Sequence, residues 1–288
     1  MFIPRFADIK AAAEAIAPHV HRTPVLTSRQ IDAISGAHLF FKCENFQKVG
    51  AFKFRGATNA VMNLSEEQRS HGVVTHSSGN HAAALAHAAV SRGVKAYIVM
   101  PSSAPEVKKR AVAGYGAAIT FCEPTLAARE AAAEEVTERT GATMIHPFDN
   151  FYIIAGQGTA AMEMLHDMQV PDAVIAPVGG GGLLSGTAIA VRHLAPAAEI
   201  YGAEPLLADD AARSLHSGSL QPALPPATIA DGLLTSLSER TFTVIRENVT
   251  DILTVTEDQI IDAMRLIWER MKIVIEPSSA VPLAAVLA

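Results

Sequence analysis

Short β-branched apolar runs alternate with alanine-rich amphipathic stretches along most of the 288 residues, a pattern that predicts βαβ units: a mainly parallel sheet covered by helices. The expected strands are Leu39–Glu44, Val73–Ser77, Lys95–Met100, Ala118–Cys122, Thr143–Pro147, Asp172–Val178, Glu199–Ala203 and Asp251–Val255. Helices are expected in most gaps, among them Ala82–Val90, Ala127–Thr140 and Leu183–Leu194. Ser65 with Gln68, and Thr256 with Gln259, have capping-box spacing, in which a hydroxyl and an amide satisfy free N–H groups at a helix start. A fold of this kind puts its ligands at strand ends.

The central βα units fall between boundaries near Glu66–Gly72 and His146–Phe151. A small lobe over 67–150 and a large lobe from 1–66 and 151–288, sharing one cleft, are therefore expected. Ser217–Thr228 concentrates proline and small residues without periodicity and reads as a surface connection. Ser278–Ala288 stops on an apolar helical pattern with no polar cap, so the natural chain is expected to run on past Ala288.

Composition narrows the function. Apolar residues make up 49% and charged residues 18%, enough for a large core and against disorder. A net charge of -6 without long like-charge runs argues against a nucleic-acid partner. No apolar stretch of the roughly eighteen residues needed for a span occurs, and the amino terminus lacks a secretory signal, so a cytoplasmic protein without a membrane partner is expected. Cys43 and Cys122 sit singly in apolar runs and read as reduced core residues.

Four segments carry candidate chemistry. In Ala51–Ala57, Lys53 lies between two phenylalanines, just after a strand and before a helix. Burial there would favour the neutral amine that condenses with an aldehyde cofactor, although a surface lysine with its stem along the rings is the plainer reading of this segment alone. In Pro177–Gly186, Gly179, Gly180, Gly181 and Gly182 separate a strand from a helix. Bare N–H groups and the positive helix end suit a phosphate, and Ser185 would add a hydroxyl. The third segment, Thr75–His81, is another strand end turning into a helix; its N–H groups and hydroxyls suit a carboxylate, and Asn80 suits a phenolic oxygen. In the fourth, Glu204 and Asp210 with an intervening carbonyl suit a hard divalent cation, or else are acids placed at a helix start by its dipole. His76, His81 and His87 lack helical metal-ligand pairing. A G-x-G-x-x-G near miss, with Glu204 where a ribose-binding acid would stand, keeps a nicotinamide oxidoreductase as the alternative class.

Together AFKFRGA, SSGNH, PVGGGG, GAEP and IEPSSA, with HRTP, AGQGT and WERMK, resemble in content and order the serine racemase and serine/threonine dehydratase family, which are fold type II pyridoxal-phosphate enzymes. The resemblance implies a two-lobed α/β fold, pyridoxal 5'-phosphate as cofactor and a small hydroxy-amino acid as substrate. It further implies a homodimer that yields a 2-oxo acid and ammonia from serine or threonine and also racemises serine, with a 3-hydroxyaspartate dehydratase of the same family as the alternative. Residue by residue, it implies Lys53 as the Schiff-base lysine, Phe52 packed on the cofactor ring and Asn80 on the ring oxygen. The glycines Gly179 to Gly182 become the phosphate loop, and Ser77, Ser78, Gly79, Asn80 and His81 the turn that receives the substrate carboxylate. Glu204, Ala208 and Asp210 match a divalent-cation site for Mg²⁺, Mn²⁺ or Ca²⁺. Ser78 matches the second acid/base, on the face opposite Lys53, and Arg129 an arginine directed toward the active site, suited to a second substrate carboxylate. Two departures stand out: no serine of an S-G-G-N segment matches the pyridine-nitrogen partner up to Ala288, and Phe148 stands where animal-type serine racemases have asparagine.

Overall fold

The structure is a computed structural model that describes residues 2–77, 79–225 and 227–288, the Leu126 side chain excepted. Helix α1 (Phe6–Ile16) is followed by β1 (Val25–Leu26), α2 (Arg29–Ser35) and β2 (Phe41–Lys42). Next come α3 (Lys53–Met62), α4 (Glu66–His71), β3 (Val73–His76), α5 (Asn80–Val90), β4 (Ala96–Pro101), α6 (Glu106–Gly114), β5 (Ala118–Cys122), α7 (Leu126–Thr140) and β6 (Thr143–Met144). After α8 (Phe151–Asp167) the chain forms β7 (Ala173–Pro177), α9 (Gly182–Leu194), β8 (Glu199–Pro205), α10 (Asp210–Ser217) and α11 (Glu239–Asn248). It closes with β9 (Asp251–Val255), α12 (Glu257–Met271) and α13 (Pro277–Leu287).

The alternating pattern resolves into two parallel sheets, ordered β5-β4-β3-β6 and β7-β8-β9, beside a small antiparallel pair β1-β2. Buried apolar runs such as Val73–Val74 and Ile98–Met100 explain why helices cover the first sheet. Both capping boxes form, at the starts of α4 and α12. Two expected strands shrink to two residues each, β2 and β6. At β6 the cause is a side chain: Ile145 N still donates to Val74 O, but the Ile145 carbonyl lies 3.1 Å from Nε2 of buried His81, ending the ladder. Conversely β8 runs on to Pro205 because Thr254 and Val255 of β9 pair with Glu204 and Pro205. Both cysteines are free thiols; Cys43 is buried, and Cys122 only partly so, contrary to a core placement. Among the described residues no helix is long and apolar enough to cross a membrane.

Helix α8 is the spacer that sets the site. On one side, a Cβ on Gly156 would lie 2.6 Å from the Gly56 Cα of α3; on the other, a Cβ on Gly158 would lie 2.8 Å from the Gly186 carbonyl of α9. Only glycine permits such backbone approach. AGQGT thus docks α3, which begins with Lys53, and α9, which begins at the glycine loop, on either side of one helix. Close by, the fully buried Arg55 guanidinium donates to Glu44 at 2.8 Å and to Glu163 at 2.7 and 2.8 Å, while Lys42 Nζ donates to Glu163 at 2.9 Å. This network ties the start of α3 to β2 and α8.

Candidate active site

A cavity of about 1640 Å³ is lined by the ends of β3 and β7, where parallel strands leave their carboxyl termini. That exceeds the few hundred to roughly 1,000 Å³ of an ordinary ligand pocket, leaving room for a cofactor beside a substrate. Lys53 and Phe52 reach it from the start of α3, Ser77, Gly79, Asn80 and His81 from the end of β3 and the start of α5, and Gly179 to Gly182 from the turn before α9.

Lys53 is enclosed. Its Nζ donates to the Pro147 carbonyl at 3.0 Å and lies 5.2 Å from the centre of the Phe52 ring. Burial lowers its pKa to about 8, against a smaller opposing pull from Glu276. The plainer surface reading of Lys53 therefore does not hold, and the amine becomes neutral at a lower pH than an ordinary lysine does.

At the glycine loop the α9 ladder starts with Ser185 N donating to Gly181 O at 2.8 Å, so the preceding N–H groups have no helical acceptor. Gly181 has φ +81°, and a Cβ there would meet Leu237 at 2.7 Å and Thr241 at 2.8 Å. A Cβ on Gly180 would fall 2.2 Å from the Phe148 ring, so packing as well as any ligand demands glycine. The loop fits a phosphate. Ser185 does not contribute as expected: it is fully buried, with its hydroxyl 3.4 Å from the Thr241 carbonyl, and does not line the cavity.

In the facing turn, Gly79 N donates to Ser77 Oγ at 3.3 Å. Ser78 lies outside the described residues. Asn80 opens α5 and donates from Nδ2 to both oxygens of Glu276 at 3.0 Å. The His81 ring is turned to Ile145 and kept neutral, burial pressing its pKa down to about 3, so what it offers a ligand is its backbone N–H at a helix start. Arg129 lines the cavity from α7, and its Nε is buried without a partner among the described residues. Phe148 also faces the cavity, edge-on to His146 at 4.6 Å.

The Glu204, Ala208 and Asp210 set gathers at the end of β8, away from the cavity lining. Glu204 accepts from Ala211 N at 3.1 Å and Ala212 N at 2.9 Å, the helix-start placement. Burial nevertheless raises its pKa to about 8, with Asp210 adding to the effect, and Asp210 Oδ2 is buried with no partner among the described residues. Two buried acids and an orphaned oxygen suit a hard cation. Glu204 so held offers nothing to a ribose in the cavity, which removes the support for a dinucleotide site.

Glu276 and Arg55 belong to this region although no spacing marks them. IEPSSA and AFKFRGA contain them, but their partners lie 196 and 108 residues away in sequence.

Residues 16–288 match the family described as "Pyridoxal-phosphate dependent enzyme". A serine racemase of Dictyostelium discoideum is 54% identical over 282 residues, covering 97% of this chain and 87% of that protein. A beta-hydroxyaspartate dehydratase of Paracoccus denitrificans (strain Pd 1222) is 49% identical over 287 residues, covering 100% of this chain and 91% of that protein. The crystal structure of a T.th. threonine deaminase superposes with a TM-score of 0.94 at 48% identity, covering 99% of this chain and 92% of that one. The two-sheet α/β architecture is thus that of fold type II enzymes, and the nicotinamide alternative falls. With the match running over nearly its whole length, the chain belongs to the pyridoxal-phosphate dependent enzyme family.

Proposed function

We propose that the protein eliminates water from small β-hydroxy-α-amino acids such as serine and threonine, giving a 2-oxo acid and ammonia, and also interconverts L- and D-serine. The observation that carries the reading is the enclosed Lys53 amine in a cavity shared with the glycine loop. When bound, pyridoxal phosphate supplies an aldehyde for amines and a ring that takes up electron density from the α-carbon. Gly179 to Gly182 would hold its phosphate, Phe52 would pack on its ring, and Asn80 would donate to the ring oxygen. Lys53 as the free amine would take the α-proton and return a proton to the β-hydroxyl, which leaves as water, and hydrolysis of the released enamine gives the 2-oxo acid and ammonia. The N–H groups of Asn80 and His81 at the start of α5, with the Ser77 hydroxyl, would orient the substrate carboxylate. Racemisation requires a second proton carrier on the opposite face, for which Ser78 is our candidate. The test is a keto-acid assay on serine, threonine and 3-hydroxyaspartate, with chiral analysis of serine; absence of keto acid from all three substrates overturns the reading.

Arg129 on the cavity wall favours a second reading, 3-hydroxyaspartate as a substrate. A guanidinium suits its extra carboxylate, and the likeness to the Paracoccus dehydratase supports this choice. Arg129→Ala is expected to lower kcat/KM for hydroxyaspartate by about ten- to a hundredfold, the worth of a charged hydrogen bond, and to change serine turnover far less. Equal losses on both substrates, or none, would remove Arg129 from substrate choice.

We also infer a divalent cation on Glu204, Asp210 and the Ala208 carbonyl, where it compensates buried charge. Because burial raises the folded-state pKa of Glu204 to about 8, the cation-free protein is expected to lose stability as pH rises from about 4.5 toward 8. Added Mg²⁺ or Ca²⁺ should therefore raise the melting temperature more at pH 8 than at pH 5. A chelator without effect at either pH would sink the site. The setting we infer is a cytoplasmic homodimer, supported by two free thiols and by exposed Trp268 and Val274, with sedimentation as its check.

A further inference from the structure

Glu276 immediately precedes α13, where a side chain usually caps the helix, yet it makes no cap bond. Both its oxygens instead accept from Asn80 Nδ2 at 3.0 Å. Two oxygens of one carboxylate subtend a narrow angle at that nitrogen, so they share one N–H and leave the other free to point elsewhere. A carboxylate can only accept. An ionised Glu276 therefore excludes the flipped amide, in which Asn80 Oδ1 would confront two acceptor oxygens.

The surroundings enclose this pair, and their net effect raises the Glu276 pKa. Burial raises the Glu276 pKa, the Asn80 bond opposes that, Asp231 raises it further, and Lys108 of α6 and Lys53 of α3 lower it. Lys108 also pairs with Asp231 at the cavity wall, so Glu276 faces two cations and one acid.

We propose that Glu276 is a positioning residue, fixing the Asn80 amide so that an N–H rather than a carbonyl oxygen faces the ring oxygen of the cofactor. The inference rests on the cofactor reading of Asn80 and Lys53. A donor on that oxygen stabilises its anion, so losing the donor raises the pH at which the visible band of the bound cofactor titrates.

Glutamine at 276 keeps the shape but brings its own N–H, which permits the amide to flip. Glu276→Gln is expected to raise the pH midpoint of the visible band by about one unit, a tenfold change in proton affinity. Asn80→Ala should move it equally, and the double variant no further. Glu276→Asp, which keeps an acceptor-only group, should return the midpoint toward that of the unsubstituted protein. Cofactor-free Glu276→Gln should melt close to the parent, which separates orientation from general loss of folding.

A Glu276→Gln midpoint equal to that of the parent, while Asn80→Ala shifts, overturns the proposal. So does a Glu276→Gln shift that adds in full to that of Asn80→Ala. If the parent forms no visible band and no borohydride-stable adduct on Lys53, the cofactor reading fails instead; a band that forms and does not move removes Glu276 alone.

Discussion

Replacing Lys53 with alanine is expected to abolish keto-acid formation and to leave no borohydride-stable cofactor adduct on the protein. The side chain would serve twice, as covalent anchor and as the base at the α-carbon, and a positioned base alone is worth about 10²–10⁴-fold in rate. Among the described residues that touch it there is no substitute anchor: Phe52 is apolar, Pro147 presents only a carbonyl, and the His81 ring, turned to Ile145, is a weak base because burial lowers its pKa to about 3. The unsubstituted protein supplies the matching pH test. Covalent loading needs the neutral amine, and burial lowers the Lys53 pKa to about 8. The rate of cofactor uptake by the cofactor-free protein should therefore rise with pH through about 8 and level off, well below the ordinary lysine range near 10.4. Stopped-flow absorbance would show it. A full-sized adduct in Lys53→Ala, or uptake still climbing at pH 10, would remove Lys53 from this role.

Arg55→Leu is expected to cost about 3–5 kcal/mol of stability, the usual penalty for removing one partner of a buried ion pair. The guanidinium is fully buried, and its loss would strand Glu44 and Glu163, whose side chains are only 15% and 16% exposed. Burial by itself would raise the Glu163 pKa, but hydrogen bonds from Arg55 and Lys42 hold it below the ordinary carboxylate range. A depressed carboxylate stabilises the fold at neutral pH and loses that contribution as pH falls through its folded-state pKa. The gap between Arg55→Leu and the unsubstituted protein, measured by urea unfolding, should accordingly be wide at pH 7 and narrower at acid pH. Replacing Glu44 and Glu163 with glutamine in the Arg55→Leu background should recover part of the loss, because the stranded charges are then gone. A single variant as stable as the parent at pH 7 would mean that the network is solvated enough to be dispensable.

What the sequence by itself determined is local. The strands of both parallel sheets follow from short apolar runs, buried in β3 and β4 and only partly covered in β5; the helix starts at α4 and α12 follow from residues three apart that satisfy their own N–H groups. The glycine loop before α9 and the lysine at the head of α3 are equally local, each set by a strand end, a turn and a helix start in one stretch of chain. Tertiary structure alone decided the rest. The shortening of β6 depends on His81, 64 residues from Ile145, and the withdrawal of Ser185 on Thr241, 56 residues away. Glu276 meets Asn80 across 196 residues, and Arg55 meets Glu163 across 108. A helix cap or a strand period is written in neighbouring residues because hydrogen bonding and side-chain direction repeat within one turn or one pleat. Which acid faces which amide instead depends on how α3, α8 and α9 pack at Gly56, Gly156, Gly158 and Gly186, where the missing side chains let distant segments approach backbone to backbone.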